Sequence, residues 1–112
     1  MNYSSYVYIA FGTDEDVKTW VKIGQTTDPW SRNRQLNGFR IIDAVNVGGD
    51  SALRLFIESY LRLKLASAPF TTRVKDDYFI CQEKTQVDFL ITQFQSYVQE
   101  AIQISKNISI KI

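Results

Sequence analysis

Tyr3 to Phe11 is dense in aromatic and β-branched residues, and so is Val17 to Ile23 after the polar stretch Gly12-Thr13-Asp14-Glu15-Asp16. Two such runs joined by a polar turn predict an antiparallel hairpin. Asp28 followed by Pro29 supplies a capping carboxylate and a proline at the first helical position, and Asn37-Gly38 supplies a stop, so a short helix is expected between them. Phe39 to Val47 alternates well enough for a third strand, which Gly48-Gly49-Asp50-Ser51 breaks before capping the next element.

From Ala52 to about Ala66, Leu53, Phe56, Ile57, Tyr60 and Leu61 recur at helical spacing, which predicts an amphipathic helix. Ser67 to Lys75 reads as a loop and Tyr78-Phe79-Ile80-Cys81 as a brief strand. Thr85 with Asp88 resembles a capping box, and Val87, Leu90, Ile91, Phe94, Val98, Ala101 and Ile102 trace one stripe of a long closing helix, about residues 85 to 105. The tail, residues 106 to 112, ends in Ile108-Ser109-Ile110-Lys111-Ile112, which alternates like an edge strand. The expected fold is mixed α+β: a central, mostly antiparallel three-stranded sheet flanked by helices, with a long C-terminal helix.

Composition narrows the class. A chain of 112 residues, 45% hydrophobic and 13% aromatic with five Gly and two Pro, is that of one packed domain spanning residues 1 to 112. No apolar run approaches the roughly 18 residues of a membrane span, and Met1-Asn2-Tyr3-Ser4-Ser5 lacks the features of a signal peptide, so a cytoplasmic protein without membrane contact is expected. The single Cys81 agrees with a reducing compartment. With no histidine in the chain, Ser-His and Cys-His triads and histidine metal clusters are excluded, leaving Tyr, Lys, Arg and carboxylates for any chemistry.

The net charge of +1 conceals an uneven distribution. Residues 1 to 31 carry two basic and four acidic side chains, residues 32 to 75 eight and three, and residues 76 to 112 three and five. The basic middle segment, with Arg32, Arg34, Arg40, Arg54, Arg62, Lys64, Arg73 and Lys75, is the candidate surface for an anionic partner, and an ordinary solvated face is the plain alternative.

Four residues on this frame stand out: Tyr8, Lys22, Arg32 and Glu58. Singly, Tyr8 reads as a strand aromatic, Lys22 as a solvated strand lysine and Arg32 as a surface charge in the first turn of its helix. Glu58 lies one turn from both Arg54 and Arg62, which predicts a surface ion-pair ladder worth about 0.2–0.5 kcal/mol per pair. Together they form a pattern. Val7-Tyr8-Ile9, Lys22-Ile23-Gly24, Thr27-Asp28-Pro29, Arg32, Gln35-Leu36-Asn37 and Ile57-Glu58 resemble, in order and spacing, the compact phage-associated branch of the GIY-YIG nuclease superfamily. The resemblance covers about residues 6 to 80 and is most specific from Val21 to Asn37.

What the resemblance implies is a small endonuclease that hydrolyses nucleic-acid phosphodiesters. A tyrosine or a metal-bound water would activate the nucleophile, an arginine would steady the phosphate, and a helix glutamate would hold one divalent ion, Mg²⁺ or Mn²⁺. Tyr8, Arg32 and Glu58 inherit those roles, with Glu58 the metal ligand and Lys22 the cation beside the tyrosine. Arg34, Arg40, Arg54, Arg62 and Lys64 would bind the nucleic acid, DNA before RNA, and Trp30, Phe39 or Tyr60 would offer an aromatic face to its bases, with core packing the plainer duty of Phe39 and Tyr60. A phenol of ordinary pKa is only about one part in a thousand ionised at neutral pH, so nearby cations are needed to favour its phenolate.

The chain also departs from the pattern. Tyr6 stands in place of the glycine of the name motif, Lys22 in place of its second tyrosine, and Asp77-Tyr78-Phe79 in place of an acidic-Trp-Phe box. Arg62 stands where many compact members carry histidine. The competing expectations are therefore a catalytically inert module of the same fold that grips nucleic acid or a host protein, as a phage-encoded inhibitor would, and a homodimer built on the closing helix and the Ile108 to Ile112 edge.

Overall fold

The computed structural model describes residues 4–13, 19–36, 38–67, 71–75, 78–81 and 86–111. Strands β1 (Ser5–Thr13) and β2 (Thr19–Thr26) form the expected hairpin, helix α1 spans Pro29–Gln35, and strand β3 spans Phe39–Gly48. Helix α2 (Ser51–Ser67), strands β4 (Thr71–Lys75) and β5 (Tyr78–Cys81), and helix α3 (Gln86–Lys111) complete the chain. The α+β class and the long C-terminal helix are as the sequence predicts. The Asp14 to Asp16 turn, Asn37, Asp77 of the Asp77-Tyr78-Phe79 box and the Thr85 cap lie outside the described residues.

Two expectations need correction. The sheet has five strands in the order β3-β1-β2-β5-β4, every neighbouring pair antiparallel, so the expected three-stranded centre is extended by two short strands. Half of the stretch read as a loop from Ser67 to Lys75 is β4, in which Thr71, Thr72, Arg73 and Lys75 pair with β5 across an irregularity at Val74. The tail is no edge strand either: α3 continues to Lys111. Each residue added to an existing helix forms a backbone hydrogen bond without a new nucleation cost, whereas a five-residue strand would need a partner strand to pair with.

The core lies between one face of the sheet and helices α2 and α3. Val7, Ile9, Val21, Ile23, Val47 and Phe79 point from the strands into Ile57, Leu61 and Leu65 of α2 and Leu90, Phe94, Val98 and Ala101 of α3. Burying each Leu, Ile or Phe side chain contributes about 1.5–3 kcal/mol. Strand alternation turns Tyr8 and Ala10 to the opposite face, where both are also buried, outside that cluster.

Helix α1 is held at both ends. Asp28 Oδ1 accepts from the Trp30 and Ser31 amides at 3.1 and 3.3 Å, and Oδ2 accepts from the Ser31 hydroxyl at 2.8 Å. The Asp28 amide donates to the Thr26 hydroxyl at 3.1 Å, tying the cap to the end of β2. Past the helix, Gly38 sits at φ +80°, a conformation glycine adopts without the Cβ penalty. Along its flank, Asn33 Oδ1 accepts from the Ile41 amide at 2.9 Å. That amide lies beside a bulge in β3, where the pairing with β1 steps from Ile9↔Asp43 to Ala10↔Ile41 and leaves Ile42 as the extra residue.

The Ser31 hydroxyl, more than any other group, holds the Asp28 carboxyl below its ordinary value near 3.8. A depressed folded-state value contributes stability above the unfolded pKa and loses it as pH falls through the folded one. The Ser31→Ala variant is accordingly expected to show a shallower loss of thermal stability on acidification, read from melts between neutral and acid pH. An unchanged acid slope would assign the loss to other carboxylates.

Candidate functional site

Tyr8 lies at the centre of the hairpin, facing Gly24 of β2 and Ala44 of β3 in register. It is only 1% exposed. Its ring lies across Gly24: a Cβ built there would sit 2.5 Å from Tyr8 Cζ, 2.8 Å from Cε2 and closer still to the hydroxyl. Any side chain at position 24 would therefore displace the tyrosine. Lys22, opposite Ala10, is diagonal to Tyr8 on the same face of the hairpin, where long side chains reach one another. Val7-Tyr8-Ile9 and Lys22-Ile23-Gly24 are thus one physical unit, with a tyrosine laid over a glycine and a lysine at its side.

Arg32 comes from α1. Its amide donates to the Asp28 carbonyl at 3.0 Å in the first turn. Its side-chain Nε is buried and, among the described residues, meets no hydrogen-bond acceptor. Burial also withholds that N–H from solvent, so an anion would have to meet the outer guanidinium nitrogens instead.

Glu58 corrects the sequence reading. The ladder was expected on the surface, yet Glu58 is 6% exposed, one step around α2 from the core stripe Ile57, Leu61 and Leu65. Its Oε2 accepts from Arg62 Nη2 at 2.9 Å. The i,i+4 spacing was visible in the sequence; the burial depends on how α2 seats on the sheet. The structure thus gathers Tyr8, Lys22 and Gly24 on the hairpin and joins Glu58 to Arg62 on α2, in different layers of the fold.

The five candidate nucleic-acid-binding cations divide. Arg34 and Arg40 are exposed, on α1 and at the start of β3, and Arg54 is half-buried near the start of α2. Arg62 is engaged with Glu58, and Lys64 is engaged too, with Nζ 3.7 Å from Glu100 Oε2 and 5.4 Å from the ring centroids of both Tyr60 and Tyr97. The Tyr60 hydroxyl donates to Glu100 at 2.7 Å, which holds the phenol above its usual pKa, and the Tyr60 oxygen in turn raises Lys64. This cluster clamps α2 to α3, and it commits the Tyr60 hydroxyl to a structural contact. Trp30, by contrast, is 80% exposed.

A divalent ion at Glu58 fits in kind. One hard carboxylate can hold Mg²⁺ that keeps most of its waters and takes further oxygens from phosphate. The obstacle is Arg62. A divalent ion about 4 Å from a guanidinium meets about 8 kcal/mol of repulsion at an effective dielectric near 20, so the arginine and the ion compete for one carboxylate.

In comparisons with known proteins no family model matches the chain, and no curated protein or solved structure matches it significantly. The GIY-YIG resemblance therefore rests on the motif residues.

Proposed function

We propose that this chain is a small endonuclease of the GIY-YIG kind, cutting nucleic-acid phosphodiesters, with DNA its substrate ahead of RNA. The observation that supports it most is the Tyr8–Gly24 arrangement: the glycine of the motif is the residue that lets the tyrosine of the motif lie where it does. In this reading Tyr8, with Lys22 diagonal to it on the same face of the hairpin, takes the proton of the attacking water. Arg32, in the first turn of α1, holds a phosphate oxygen through its guanidinium. Glu58, on α2 in a different layer from Tyr8, would hold one Mg²⁺ or Mn²⁺ ion, which would supply charge stabilisation to the phosphate. Arg34 and Arg40 supply backbone contacts, and the exposed Trp30 offers a face to a base. A cytoplasmic location belongs to the same proposal and is supported by the lone cysteine; among the described residues no helix is long and apolar enough to cross a membrane.

The Glu58–Arg62 pair favours a second reading, a catalytically inert module of the same fold that binds nucleic acid or a host protein, because the carboxylate already has a cation. Nicking and cleavage of supercoiled plasmid, single-stranded DNA and RNA with Mg²⁺ or Mn²⁺ decides between them. Glu58→Ala and Tyr8→Phe are each expected to lower the rate by about a hundredfold or more. No cutting of any substrate by folded wild-type protein removes the nuclease reading and favours the binding module.

A further inference from the structure

We infer that the exposed ring of Trp30 is a stacking seat for an unpaired base, so that the nucleic acid this protein takes is single-stranded or locally opened rather than intact duplex. The inference rests on the nucleic-acid part of the proposed function and names the class of substrate. It holds for the nuclease and for the inert module alike.

Helix α1 buries no residue, so core packing does not explain its sequence. Tryptophan is highly buried on average in folded proteins, yet Trp30 is 80% exposed. The ring also stands on a fixed support. Pro29 presets the backbone of the first turn, and the Trp30 amide donates to Asp28 Oδ1 at 3.1 Å. Asn33 Oδ1 accepts from the Ile41 amide at 2.9 Å, which ties the helix to β3. A helix of seven residues is too short to be stable by itself, so these ties hold it in place. What it presents to solvent is an indole whose backbone loses little further freedom on binding.

The surroundings decide the occupant. The exposed neighbours of Trp30 on α1 are Ser31, Arg34 and Gln35, all polar, so the ring is not the centre of an apolar patch such as a protein partner buries. Residues 29 to 42 carry Arg32, Arg34 and Arg40 and no carboxylate. The Asp28 carboxylate just before them is engaged by two amides and the Ser31 hydroxyl. Arg34 lies one turn beyond Trp30 on the same side of the helix, about 5–6 Å away between Cβ atoms, which places a cation for a phosphate beside a ring for a base. In a duplex both faces of a base are covered by its stacked neighbours. A protruding ring therefore gains stacking only from a base that is unpaired, at a strand end or turned out.

The test is binding of a short labelled oligothymidine, and of a duplex of equal length, measured by fluorescence anisotropy in EDTA with wild type, Trp30→Ala and Trp30→Phe. Trp30 lies outside the core cluster, so both variants are expected to melt as wild type does. Wild type is expected to prefer the single strand, Trp30→Ala to weaken that binding by about five- to a hundredfold, and Trp30→Phe, which keeps a ring, to weaken it less. Equal binding of duplex and single strand by wild type, or a Trp30→Ala variant that binds the single strand as wild type does, overturns the seat. Binding of neither also overturns it and leaves Trp30 to a protein partner. Because no metal is present, these outcomes are independent of cleavage: single-strand binding through Trp30 without any cutting sustains the seat and removes the nuclease, and cutting without it does the reverse.

Discussion

Gly24→Ala is expected to destabilise the protein by about 1–3 kcal/mol, the usual range for forcing extra carbon into a packed site. The penalty arises in one place. The new Cβ would overlap the far end of the Tyr8 ring, which is 1% exposed. Gly24 itself has no positive φ to protect, so the loss belongs to the overlap rather than to the backbone. Pairing the change with Tyr8→Leu, which removes the outer ring atoms, is expected to recover part of the stability, as two residues in contact do when their effects are not additive. Denaturant unfolding of the two single variants and the double variant measures this. Simple additivity would show that the ring and the glycine do not constrain each other.

Arg62→Ala is expected to cost about 3 kcal/mol. Deleting Arg62 removes a cation from a largely buried ion pair, and Glu58, with 8% of its side chain exposed, has little water to make up for it. Arg62 is more exposed than Glu58, which keeps the expected loss toward the lower end for such pairs. Glu58→Gln in the same chain removes the buried charge and should restore most of the loss. Thermal and denaturant melts of the three variants test this, and a loss of a few tenths of a kcal/mol in Arg62→Ala would return the pair to the surface ladder that helical spacing alone suggests.

The strands and helices whose hydrophobic spacing is strong were legible from the sequence. The hairpin, the capped α1, β3 and α2 follow from alternation, from Asp28-Pro29 and from the break at Gly48 to Ser51. β4 was not, because Thr71 to Lys75 carries no continuous apolar face and its strand character comes from pairing with β5. The end of α3 was misread because Ile108, Ile110 and Ile112 alternate, and alternation has no force where no strand lies alongside. At the site, residue identities were legible and environments were not. Glu58 and Arg62 were visible as an i,i+4 pair, but only the seating of α2 against the sheet buries the carboxylate. The Asn33 contact with Ile41 could not be read at all, since it depends on a bulge in a strand eight residues away.

That contact bears on how the protein behaves among its own copies. β3 is an outer strand of the sheet, and a regular, flat outer strand invites another chain to pair with it. Here the bulge at Ile42 breaks the repeat, and Asn33 already occupies the neighbouring amide, so an incoming strand meets an interrupted ladder. The short helix that carries Arg32 therefore also works as a guard against aggregation along that edge.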